Sequence, residues 1–179
     1  MKKFLVLVAL IVMVFSVAAC GGGGAEQDAP EVALTPQTLK NVTISLPEDF
    51  TQKDTYEDIS ESLSSNVPDI GLAVVEVVAP IEMGWSAADC NDETVISRES
   101  QQATDIEVIE WNNADVISDL ETFSAHYTYV INDIKTEHYL FDVFHGDGTL
   151  TRIEIHFNPA NNSTLQENID AIIDSIVVN

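Results

Sequence analysis

The sequence predicts an α+β fold: an antiparallel β-sheet with flanking helices and a C-terminal amphipathic helix packed on the sheet. Three observations predict it. Between Phe123 and Phe157, three runs alternate apolar with polar residues and are separated by turn signals. Two earlier runs, Val42–Leu46 and Gly71–Val78, are rich in β-branched residues. Near the end, Leu165, Ile169, Ile172, Ile173 and Ile176 recur at helical spacing and form one apolar stripe.

Taken in order, Val42, Ile44 and Leu46 alternate with Thr43 and Ser45, a half-buried strand stopped by Pro47. Asp54 to Ser65 reads as a weak helix with Tyr56, Ile59 and Leu63 on one side. Gly71 to Val78 is a strand ended by Pro80, and Ser86 to Ala103 contains a helix around Val95 and Ile96. Ile106, Val108 and Ile109 mark another strand, with a further one at Ala114 to Ser118.

Phe123, Ala125, Tyr127, Tyr129 and Ile131 then alternate, followed by Tyr139, Phe141 and Val143, and by Ile153, Ile155 and Phe157. Turns fall at Asn132-Asp133 and at Gly146-Asp147-Gly148. The expectation is a three-stranded meander with one apolar face. Ser163 and Gln166 give the last helix a capping box, and its stripe is expected to pack on the aromatic face of that meander.

Ahead of the domain stands an export segment. Met1-Lys2-Lys3 is a positive start, and Phe4 to Ala19 is an almost unbroken apolar run of 16 residues. A spanning helix needs about 20, so the run fits the apolar core of a signal peptide better. Val17-Ala18-Ala19-Cys20 resembles the lipobox of bacterial lipoproteins, an apolar residue and two small ones before cysteine. That resemblance implies acyl chains on Cys20, cleavage before it, and a membrane anchor on the extracytoplasmic face of the cell envelope. More than one chain makes such an anchor lasting, because each buried methylene contributes about 0.8 kcal/mol. The expected organisation is residues 1–19 as signal peptide, 20–38 as lipidated cysteine and Gly-rich linker, and 39–179 as a single globular domain. A flexible linker of that length has a root-mean-square reach of about 25 Å.

Charge narrows the function. The chain has 30 acidic and 7 basic side chains, a net charge of -23, and two of the basic ones, Lys2 and Lys3, lie in the export segment. Such a surface repels phosphate backbones, so nucleic-acid binding is excluded and cationic partners are favoured. With Cys20 acylated, Cys90 has no partner for a disulfide within the chain and reads as a small, partly buried residue.

No linear signature of an enzyme occurs: there is no Gly-x-Ser-x-Gly, His-Glu-x-x-His, phosphate-binding Gly loop or Cys-x-x-Cys. The expectation is a non-enzyme that needs no cofactor. All four histidines, His126, His138, His145 and His156, fall in the meander region. A turn on Gly146-Asp147-Gly148 places Asp142 opposite Arg152 and His138 opposite His156, on the face away from the aromatics, with Glu154 one step along. His138, His156 and Glu154 are therefore candidate ligands for a transition metal; the plainer expectation is an exposed polar sheet face with an Asp142–Arg152 ion pair. His145-Gly-Asp-Gly148 has too few acidic ligands for a calcium loop and reads as a tight turn. Trp85, Trp111 and Tyr127 are candidates for a ligand groove or for the core.

The layout resembles the PsbP/Mog1-type fold of many small bacterial lipoproteins. The resembling features are a first strand ending in Ser45-Leu-Pro-Glu-Asp-Phe50, the strand after Gly71, the meander, and a closing helix with Ile172-Ile-Asp-Ser-Ile176. The likeness covers about residues 40–178 and implies an antiparallel sheet flanked by helices, a fold that serves several binding and assembly roles. The leading expectation is a membrane-tethered binding or accessory module contacting an envelope protein or small ligand. The alternatives are a metal-ion binding lipoprotein using the histidine face and a hydrolase without a recognisable signature.

Overall fold

Among the residues described by the computed structural model, five strands precede the first α-helix, four more lead to the second, and a tenth strand follows it. The structure describes residues 33–48, 50–56, 60–65, 70–77, 85–161 and 163–179. The expected signal segment, Cys20 and the glycine run lie outside the described residues. Among those described, no helix is long and apolar enough to cross a membrane.

Strands β1 (Leu34–Leu39), β2 (Val42–Pro47) and β10 (Val177–Val178) form a small antiparallel sheet in the order β1-β2-β10. Lys40, at φ 48, turns β1 into β2. The expected linker thus gives up residues 34–38 to a strand. Pro36 hid that strand from pattern reading, yet it is tolerated because β1 is an edge of the small sheet.

The large sheet has seven antiparallel strands: β3 (Phe50–Tyr56), β4 (Ser60–Ser65), β5 (Ile70–Val77), β6 (Thr104–Ile117), β7 (Leu120–Ile131), β8 (Ile134–Phe144) and β9 (Leu150–Phe157). Their order is β3-β4-β5-β9-β8-β7-β6. The helix expected over 54–65 is instead the β3–β4 hairpin, paired from Phe50↔Ser65 to Tyr56↔Ser60. Four of the six residues of β4 are serine, which competes for backbone hydrogen bonds and supports a helix poorly.

The two strands expected between 106 and 118 are one, β6. Its pairing with β7 shifts register three times, between Thr104/Glu107, Val108/Glu110 and Asn112/Asp115. Each extra residue breaks the alternation, so one bulged strand reads as two short ones. Asp105, at φ 51, sits within the first shift.

The meander is present, with the expected tight turns at 132–133 and 146–148 and a further one at 118–119, where the end of a strand was expected. Ser118-Asp119 joins β6 to β7 and Asn132-Asp133 joins β7 to β8, all four residues at positive φ, as the two-residue turns that suit strand twist require. Asp147 Oδ1 accepts from the backbone N–H and hydroxyl of Thr149, and Gly148 takes φ 105. The tight-turn reading of 145–148 holds.

The meander does not have a single apolar face. Ile131 pairs with Ile134, so every odd residue of β7 lies opposite an even residue of β8. Phe123, Ala125, Tyr127 and Tyr129 therefore share a face with Asp142, Leu140, His138 and Thr136. Tyr139, Phe141 and Val143 lie on the other face with Ile153, Ile155 and Phe157.

Each face has its own cover. Helix α2 (Ser163–Asp174) buries Leu165, Ile169 and Ile172, with Ile176 just beyond it, in a core shared with Phe141, Val143, Ile153, Ile155 and Phe157. Leu39, Val42, Ile44, Leu46 and Val178 of the small sheet complete that core. The stripe of α2 thus finds the β8–β9 face, not the aromatics of β7. Its proposed capping box falls on side chains outside the described residues. A single 3-10 turn (Ala87–Asp89) and helix α1 (Asp92–Glu99) cover the opposite face, where Ala87, Cys90 and Val95 pack with Phe123, Ala125, Tyr127, Leu140, Phe144 and Leu150. Both apolar cores lie within residues 33–179.

Candidate functional site

Helix α1 begins at Asn91, whose side chain accepts from the N–H of Thr94 while Thr94 Oγ1 accepts from the N–H of Asn91. Asp92 and Glu93 in the first turn and Arg98 in the last suit the helix dipole. The preceding turn is tied down separately. Ala87 N–H donates to Glu121, and the Asn113 amide donates to the carbonyls of Ala88 and Cys90.

Between α1 and the sheet lies a cleft of about 660 Å³. Phe123, Leu140, Phe144 and Leu150 form its floor, Thr94, Val95 and Arg98 one wall, and Asp142 and Arg152 its base. Trp85 stands at its mouth, 46% exposed.

Both arginines of the chain line this cleft. Asp142 and Arg152 face each other across β8 and β9 and make two parallel hydrogen bonds of 2.6 and 2.7 Å. Arg98 Nε donates to Glu99 at 2.6 Å and its Nη2 donates to the Tyr127 hydroxyl at 2.7 Å. That hydroxyl donates to Glu99 at 3.2 Å, and Glu154 lies 3.4 Å from Arg98. Arg98 also rests over the Tyr127 ring, 5.8 Å from its centroid.

Burial alone would lower the Arg98 pKa, but Tyr127, Glu154 and Glu99 more than offset it and hold it above the ordinary value. Burial raises Glu154 against the pull of Arg98 and Arg152. It also raises Tyr127, and Tyr129 to about 12.

A row of rings continues from this network across the sheet. His138 stacks on Tyr127 at 5.1 Å, meets Tyr129 at 4.1 Å and stacks on His156 at 5.4 Å between centroids. His138 is 6% exposed, and its Nε2 has no hydrogen-bond partner among the described residues. Burial, reinforced by His156 and Arg98, pushes its pKa down to about 3, so it is neutral at ordinary pH.

The expected cross-strand pairs, His138 with His156 and Asp142 with Arg152, are present. Two features of the expectation need correcting. The pairs lie on the same face as the aromatics of β7, and that face is partly covered by α1 rather than open to water: His138 and Asp142 are buried, Arg152, Glu154 and His156 half-buried. His138, His156 and Glu154 share the face without converging. The two imidazoles are stacked and Glu154 leans on Arg98, and among the described residues no three His, Cys, Asp or Glu side chains come together to hold a metal.

The other histidines lie apart. His126 bonds Glu137 at 2.8 Å on the α2 face, and His145 bonds the Thr151 hydroxyl at 2.8 Å. Tyr127 is core, whereas Trp111 is 41% exposed beside a shallow groove of about 340 Å³. Cys90 is buried, its thiol donating to the Ser86 carbonyl and raised by burial to about 11. Pattern reading missed Arg98 and Glu99 as site residues. The signal was there: one of only two arginines, on a short helix with few apolar positions.

No family model matches the chain, and no curated protein sequence matches it. Solved structures do. The solution structure of cyanobacterial PsbP (CyanoP) from Synechocystis sp. PCC 6803 superposes with a TM-score of 0.60 at 15% identity, over 90% of this chain and 98% of that one. The Saccharomyces cerevisiae Ran-binding protein Mog1p gives 0.54 at 12% identity, over 83% and 96%. LpqN, involved in cell envelope biogenesis of Mycobacterium tuberculosis, gives 0.52 at 8% identity, over 86% and 87%. At such identities the likeness is one of fold, and with the two antiparallel sheets and two helices described above, the chain has the α+β architecture of PsbP and Mog1.

Proposed function

We propose that this chain is a lipid-anchored, extracytoplasmic binding module without catalytic activity. Acyl chains on Cys20 hold it to a bilayer, and the residues after Cys20 give the domain its reach. The observation that carries the binding reading is the state of the cleft's charges. Arg152 is engaged by Asp142, and Arg98 by Glu99, Tyr127 and Glu154. Groups committed to one another stabilise a shape; they are not poised as nucleophile, acid or base. The fold likeness supports the same reading, since Mog1p is a Ran-binding protein and LpqN acts in envelope biogenesis.

The test is radiolabelled palmitate in growing bacterial cells expressing the chain, with fractionation of wild type and Cys20→Ser. Label in the wild type alone, with the wild type in the membrane fraction and the variant released from it, is the expected result. An unlabelled, freely soluble wild type overturns the tether.

A further inference from the structure

We propose that the cleft beneath α1 takes an uncharged apolar group, alkyl or aryl, of a small molecule, and that α1 is the latch over it. The inference rests on the binding-module reading and names its ligand chemistry and its gate.

The chemistry follows from the walls. The floor is Phe123, Leu140, Phe144 and Leu150, and the volume of about 660 Å³ suits a small organic ligand. An anion entering meets Glu93 and Asp142 in a chain of net charge -23. A cation meets Arg98 and Arg152. Either charge would need a partner already committed elsewhere, and an unpaired charge out of water is costly. An uncharged apolar group gains from the floor and disturbs no ion pair.

The latch follows from how α1 is held. Of its eight residues only Val95 and Glu99 are buried, and Ile96 is 41% exposed. One aliphatic side chain is a thin apolar seam for a helix lying over a cleft. The rest of the attachment is the Arg98–Tyr127–Glu99 network, with Glu154 of β9 3.4 Å from Arg98 and Gln102 bracing Glu99 at 3.2 Å. Ion pairs withdrawn from water contribute little net stability and cannot stretch without loss. The 3-10 turn is fixed by Glu121 and Asn113 independently of that network. Release of the network therefore frees α1 while the turn stays in place, an opening confined to one element.

The domain 32–179, which is compact and holds both cores, is titrated with N-phenyl-1-naphthylamine, a neutral apolar fluorophore, and with its anionic relative 1-anilinonaphthalene-8-sulfonate. The neutral probe is expected to bind at one site, and the anion far more weakly. Ser97→Trp, on the exposed side of the cleft wall, should abolish binding without touching the cores. Equal binding of the anion, or an unchanged affinity in Ser97→Trp, overturns the ligand assignment.

Tyr127→Phe keeps the ring and removes the bridging hydroxyl. The hydroxyl accepts from Arg98 and donates to Glu99, so hydrogen exchange of the Asp92–Glu99 amides should speed up by about tenfold or more, one such hydrogen bond being worth about tenfold, with β7–β9 amides unchanged. Probe association and dissociation should quicken by the same factor, leaving the affinity nearly constant. Arg98→Met cuts the network from the helix side and should act alike if the tyrosine variant is unstable. Exchange that quickens throughout the sheet, or not at all on α1, overturns the latch. Neither result touches acylation of Cys20, so failure here and failure of the tether are separately visible.

Discussion

Arg152 and Asp142 stand directly opposite each other on β9 and β8, and two hydrogen bonds join the guanidinium to the carboxylate edge to edge. Their side chains are 25% and 6% exposed, so the carboxylate is the more fully withdrawn from water. Asp142→Asn removes one charge and strands the other. A cost of about 3 kcal/mol is expected, the lower end for a broken buried pair because part of Arg152 still reaches solvent. Urea unfolding measures it, and the double variant Asp142→Leu with Arg152→Met should recover most of the loss.

His138 makes the fold sensitive to acid. Its pKa lies near 3 in the folded chain against 6.5 for the ordinary side chain. Below pH 6.5 the unfolded chain takes up a proton that the folded one refuses. Stability therefore falls as pH drops through this window, by about 1.4 kcal/mol per unit. Glu154, raised by burial, acts in the opposite sense above its ordinary value. Comparing wild type with His138→Phe cancels that contribution. The variant should gain on wild type with each unit of acidification between pH 6 and pH 4, read from urea midpoints.

The thiol of Cys90 is buried and raised to about 11. At pH 8 its thiolate is scarce, and alkylation by iodoacetamide should run about 100-fold slower than in the chain unfolded by guanidinium. Mass spectrometry of timed aliquots gives both rates.

Ile172 is fully buried where α2 meets the β8–β9 face. Ile172→Ala should cost about 3–4 kcal/mol, as the lost side chain leaves a cavity between helix and sheet. Ile173, only partly buried on the same helix, should cost less when truncated alike. Thermal unfolding of the two variants ranks them.

Much of this was legible in the sequence because short-range chemistry dictated it. Asn132-Asp133 and Gly146-Asp147-Gly148 set the turns, the β8–β9 register followed, and the Ile172 stripe marked α2 as one-sided. The misreadings have specific causes. A two-residue turn pairs Ile131 with Ile134, so odd meets even, and Tyr127 lands beside His138 rather than Tyr139. That single parity moved the aromatics of β7 to the other side of the sheet, beside His138 and Asp142, which are buried where an open polar surface was expected. Bulges disguised β6, and proline disguised β1. The site itself was half visible: the strand partners could be read, but the helix that closes over them binds through Arg98 and Glu99, whose role no periodicity announces.

The placement of β5 bears on how this molecule comes to be. It pairs along its whole length with β9, the nearest contact joining Val77 to Leu150, and β2 receives Val177 and Val178 from still farther along. Both sheets, as described, wait on residues 150–178 for a pairing partner. A chain halted before residue 150 leaves β5 with a bare edge, inviting adhesion to its own copies. Successful maturation of such a molecule depends on keeping its first half from settling before its second half is delivered.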